Sequence, residues 1–107
     1  MDNKYDYMLA MEDALDEKKF QLVITLLAKT QDDEIVRQNN AKGQNLMHIL
    51  AKNSSGGDFT HLRRIFDIFR KRGVNCFERD HSLSNALHYA VWSNCAALVS
   101  ILLEEGI

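Results

Sequence analysis

Two seven-residue stretches of this chain are variations on one pattern, and they constrain its fold more than any other feature. Asn45-Leu46-Met47-His48-Ile49-Leu50-Ala51 and Asn85-Ala86-Leu87-His88-Tyr89-Ala90-Val91 both run capping residue, two apolar residues, histidine, then apolar or small residues. The two histidines lie 40 residues apart. Each stretch leads into a second amphipathic segment that closes on a glycine, Gly73 or Gly106. Such a period marks a structure made by stacking one supersecondary unit, because a lone unit cannot bury its own apolar face.

The apolar spacing predicts helices in pairs. Tyr7 to about Asp16 carries Met8, Met11, Ala14 and Leu15 on one stripe, and Phe20 to about Lys29 carries Val23, Leu26 and Leu27. Thr30–Lys42 is polar apart from Ile35 and Val36 and reads as a long loop. Asn45 caps the next helix. Asn53-Ser54-Ser55-Gly56-Gly57 is a strong loop signal. Asp58 then caps a helix to about Arg72, with Leu62, Ile65, Phe66 and Phe69 facing inward and Gly73 as its stop. Asn85 caps the fifth helix. Asn94 starts the sixth, with Ala97, Leu98, Ile101 and Leu102 inward and Gly106 as its stop. No run alternates long enough for a strand, though short extended arms fit near Val74–Phe77. The expected fold class is all-α, in one domain, as the 107-residue length suggests.

These motifs resemble the ankyrin repeat, whose signature is a Thr-Pro-Leu-His-x-Ala-Ala helix start, a glycine, and a Val-Val-x-x-Leu-Leu helix. In the third unit Asp80 stands at the family's loop aspartate, Asn85-Ala86-Leu87-His88 replaces Thr-Pro-Leu-His, Ala90-Val91 matches Ala-Ala, and Asn94 takes the first glycine. Leu98-Val99 and Leu102-Leu103 match the second helix. In the second unit Gly43, Asn45, Met47, His48, Leu50-Ala51, Ile65-Phe66, Ile68-Phe69 and Gly73 match. The first unit is degenerate, as an N-terminal cap should be: Ala14-Leu15, Lys18, Leu22-Val23 and Leu26-Leu27 fit, without the histidine. There is no proline, and the spacing exceeds the usual ~33 residues, an excess that Asn53–Thr60 is expected to absorb. The resemblance implies a solenoid of stacked antiparallel helix pairs with projecting loops, its units near 5–36, 37–76 and 77–107.

It also implies roles. Asn45, His48, Gly73, Asn85, His88 and Gly106 are structural, and both histidines tie neighbouring loops together. The partner-binding positions are Ala41, Lys42, Gln44, Lys52 and Asn53 in the second unit, and His81, Ser82, Ser84, Trp92 and Ser93 in the third. The expected function is recognition of another protein or peptide segment through loop tips and the concave helix face, with a structural spacer or self-association segment as the alternative. No enzymatic activity and no cofactor are expected of these residues, although a catalytic domain elsewhere in a longer parent chain is compatible with the family. The chain is expected to be a fragment, with further repeats or domains beyond it.

Charge and cysteine usage narrow the classes further. Residues 1–36 carry nine acidic and four basic side chains, 37–79 nine basic and three acidic, and 80–107 three acidic and no basic ones. The positive middle block is either solvated helix surface or a dock for an acidic partner. Nucleic acid is disfavoured: Phe66 and Phe69 fall on the apolar stripe, so Arg63, Arg64, Arg70, Lys71 and Arg72 alone would give only salt-sensitive, sequence-blind contact. Cys76, His81, His88 and Cys95 lack the close ligand pairs of a zinc site. Nothing like a nucleophile turn surrounds either cysteine. Ser54-Ser55-Gly56-Gly57 lacks the lysine of a phosphate loop. The start MDNKYDY is no secretory signal, and no apolar run approaches a membrane span. Two cysteines in this setting suit reduced thiols, hence an intracellular location, cytoplasmic or nuclear.

Overall fold

The computed structural model describes residues 4–107, so Met1, Asp2 and Asn3 of the MDNKYDY start lie outside the described residues. Those residues form seven helices and no strand: α1 (Lys4–Asp16), α2 (Phe20–Lys29), α3 (Asp33–Val36), α4 (Leu46–Lys52), α5 (Phe59–Lys71), α6 (Ala86–Trp92) and α7 (Ala96–Glu104). The fold class is all-α. The arms near Val74–Phe77 are turn and coil.

Local chemistry sets the boundaries. Asp58 accepts the amide of His61 at 2.8 Å to open α5. Gly73 and Gly106, both at positive φ, close α5 and α7. Val74 N–H returns to Phe69 C=O at 2.9 Å and Ile107 N–H to Leu102 C=O at 3.3 Å, the bonds of a Schellman stop. The inward stripe of α5, Leu62, Ile65, Phe66 and Phe69, is fully buried.

The helices pack in two layers. The first helices of the pairs form one, with α4 between α1 and α6. The second helices form the other, with α5 between α2 and α7. The core lies between the layers, from Met11, Leu15 and Leu27 through Leu50 and Phe66 to Leu98 and Leu102. The molecule extends 38 × 28 × 23 Å.

Two expectations need correction. The stretch Thr30–Lys42 is not loop throughout. It contains α3, which is capped by Asp32 through the Glu34 amide at 2.9 Å and anchored by the buried Val36. The Ile35-Val36 pair supplies just enough apolar surface to dock one turn. Nor does the serine-glycine loop absorb the whole repeat excess. The α4–α5 connection has three more residues than the α6–α7 connection, and α5, with 13 residues, is four longer than α7, with 9. An added helical turn takes the larger share.

Candidate recognition surface

The two matching motifs build matching frames. In each, the asparagine side chain caps the helix while the histidine at the third position reaches back. Nδ1 of His48 accepts the Asn45 amide at 3.0 Å, and Nδ1 of His88 accepts the Asn85 amide at 3.0 Å. This is a capping box with histidine in place of glutamate. The loops before the helices are also the same. Asn40 N–H bonds Gln44 C=O at 2.8 Å, and Asp80 N–H bonds Ser84 C=O at 2.9 Å. Oδ1 of Asn40 accepts the amides of Lys42 and Gln44, and Oδ1 of Asp80 those of Ser82 and Ser84, all at 2.9 Å. Asn40 is thus the counterpart of Asp80, a match that the resemblance left unassigned.

The histidines then diverge. His48 is fully buried, and its Nε2–H donates to Ser84 C=O at 3.1 Å, tying the second unit to the third. The expectation that His88 does the same is corrected: His88 is exposed, and its ring lies against Trp92, with centroids 5.9 Å apart. What buries His48 is the unit stacked on it, and no unit covers His88 here.

Of the ten expected contact positions, Ala41, Lys42, Lys52, His81, Ser82 and Trp92 are exposed. Asn53 and Ser93 are half-buried and engaged in the fold. The Asn53 carbonyl accepts Lys18 Nζ at 2.9 Å, and Ser93 Oγ donates to Ala51 and Lys52 carbonyls at 2.9 and 3.0 Å. Gln44 and Ser84 are corrections, being only 4% and 7% exposed. Gln44 Nε2 donates to Tyr89 Oη at 3.1 Å, and Ser84 holds His48 and Asp80.

The Tyr89 hydroxyl also donates to Asp80. Burial raises the Asp80 pKa, but bonds from Tyr89, the Ser84 and Ser82 amides and Gln44 outweigh it and hold the carboxyl at about 2. Asp80 is a structural clasp between loop and helix.

Trp92 is 67% exposed and held in place, edge-on to Tyr89 with centroids 5.3 Å apart. Leu83 is 71% exposed with φ of 63°, where the twin loop has Gly43 with φ of 76°. The motif comparison passed over Leu83, although a 40-residue offset sets it directly under Gly43. A Cβ on Gly43 would meet the His81 ring at 2.5 Å, so a side chain there would have to push that exposed ring aside.

Three arginines of the basic block are paired within the fold, while Arg64 and Lys71 are exposed. Arg63 pairs with Asp67 at 3.4 Å and Glu104 at 3.6 Å, Arg70 with Glu105 at 3.2 Å, and Arg72 with Asp33 at 2.7 Å. These arginines link α5 to α7 and α3. The outer side of α6 and α7 is apolar instead, a hollow of about 590 Å³ lined by Val91, Ala96, Val99 and Leu103 among others.

Among the described residues, no three His, Cys, Asp or Glu side chains gather to hold a metal ion, and no helix is long and apolar enough to cross a membrane. Neither a protein-family model nor a curated protein sequence matches the chain.

Proposed function

We propose that the chain is a non-catalytic recognition module of the ankyrin type. Its three stacked units bind a segment of another protein along their loop tips and the exposed ends of their first helices. Trp92 carries the reading. A large aromatic side chain, 67% exposed and steadied by two neighbouring rings, adds little to its own fold. Such side chains anchor interfaces, where truncation can cost ~2 kcal/mol or more. The exposed Leu83 beside an otherwise economical loop supports the same surface, since strained residues gather at functional sites. The ankyrin assignment is supported by the doubled frame of loop, capping box and helix pair.

The test is the emission of the single tryptophan. In the free domain it should be red-shifted and open to a soluble quencher, and it should move when a partner binds. A pull-down with Trp92→Ala should lose the partner that the parent chain retains. A blue-shifted, unquenchable signal would place Trp92 in a core and end the proposal.

A second reading, a self-association or assembly segment, is favoured by the apolar hollow on the outer side of α6 and α7. Sedimentation across a concentration range separates the two: assembly raises the mass without any partner, and recognition alone leaves a monomer.

A further inference from the structure

The second unit holds the third through one side, and the third unit carries the same side bare. Met47, His48, Ala51 and Phe66 are fully buried. Leu87, His88 and Val91 stand 40 residues after the first three, and Val99 answers to Phe66 when both are counted back from the closing glycines Gly73 and Gly106. Of these, His88 and Val91 are exposed, and Leu87 and Val99 are half-buried. Two ion pairs cross the covered junction, from Arg63 to Glu104 and from Arg70 to Glu105. Counted back in the same way, those arginines answer to Ala96 and Leu103, both exposed. Where the covered unit turns cations toward its neighbour, the uncovered one has apolar side chains.

An end unit that meets water needs a polar outer face, and this one is the reverse. Its hollow of about 590 Å³ is lined by a single charged residue, Glu104, which Arg63 already holds. Asn94 and Ser100 add only uncharged polar groups. A contiguous apolar patch of this kind marks an interaction site.

We propose that a second copy of this chain covers this face, α6 and α7 of one copy lying on α6 and α7 of the other about a two-fold axis. Charge selects the occupant. Residues 80–107 hold no basic side chain, so this face has no cation to receive the acids that the second unit receives from the third. A head-to-tail copy would bring the exposed Asp6, Asp13 and Asp16 of its α1 to a face whose one charge is a carboxylate. The same face on a second copy sets apolar side chains against apolar ones, with Glu104 on each side kept by its own Arg63. A self-complementary patch closes at two copies and goes no further. This inference rests on the assembly reading above and names its face and its partner.

The experiment is sedimentation of the whole chain across a concentration range, with two variants beside it. The parent should rise from one mass to twice that mass and stop. The double variant Ala96→Arg, Leu103→Arg, which restores the residues of the second unit, should raise the dissociation constant of the dimer at least about tenfold, because it sets cations against cations across the axis. Leu22→Arg, an exposed apolar position in the first unit, should leave that constant unchanged. The circular dichroism of both variants should match the parent's, since all three side chains are exposed. A dimer that the double variant leaves intact, or a mass that keeps growing with concentration, would overturn the two-fold pairing and leave the assembly reading standing. A monomer at every concentration would overturn both.

Discussion

Gly43 and Leu83 hold the same place in two loops with the same hydrogen bonds, yet one has a side chain pointing into water. A left-handed backbone costs an L-residue roughly 1–2 kcal/mol, and glycine returns part of that as lost chain entropy. Leu83→Gly should therefore raise stability by about 0.5–1 kcal/mol in urea denaturation. The same offset set the two histidines equal, but only a neighbour makes one of them buried. His48→Ala should cost about 2–3 kcal/mol, since it strands the Asn45 amide and the Ser84 carbonyl away from water. His88→Ala loses a solvent-facing cap bond and a ring contact with Trp92 and should cost under about 1 kcal/mol. Burial was invisible in a motif that repeats, because the motif does not say what stacks on it. The Asp80 clasp was equally hidden, since it joins Asp80 to Gln44 and Tyr89 from separate segments. Its carboxyl sits at about 2 against an ordinary 3.8, so its stabilisation is complete above about pH 4 and is lost as pH falls toward 2. The contribution is about 1–2 kcal/mol after solvent screening. Asp80→Asn should flatten the acid limb of a pH–stability curve in that window.

At the scale of elements, the six main helices were legible because each has an apolar stripe, a cap or a glycine stop of its own. The one-turn α3 was not, since four residues carry no period and the helix depends on its Asp32 cap and on docking Val36. Its other support comes from Arg72, which holds Asp33 at 2.7 Å and the Leu27 carbonyl at 2.7 Å. Arg72→Ala should loosen this corner by about 1 kcal/mol. Amide exchange at Ile35 and Val36 should speed up while that of α4 stays unchanged. The basic run looked from the sequence like a free surface because its partners, Asp33, Glu104 and Glu105, lie in other units. With Arg63, Arg70 and Arg72 already paired, the exposed Arg64 and Lys71 are what this run has left to steer an acidic partner. Salt should slow association only weakly.

Across the whole molecule, α4 and α5 have neighbours on both sides and the outer pairs on one. Stacked units are stabilised by their interfaces, so opening should start at the ends. Hydrogen exchange should be slowest in α4 and α5. Equal protection throughout would mean that the units do not open independently. The all-helical class could be anticipated from the apolar spacing, whereas the side chains at the exposed helix ends could not, because surface positions carry no packing constraint. That freedom follows from the bonds that hold the units together. Lys18 and Ser93 grip main-chain oxygens of Asn53, Ala51 and Lys52, which every residue possesses. The side chains at positions 16, 52 and 92 can therefore be exchanged like type in a locked frame, the text changing while the press stays true.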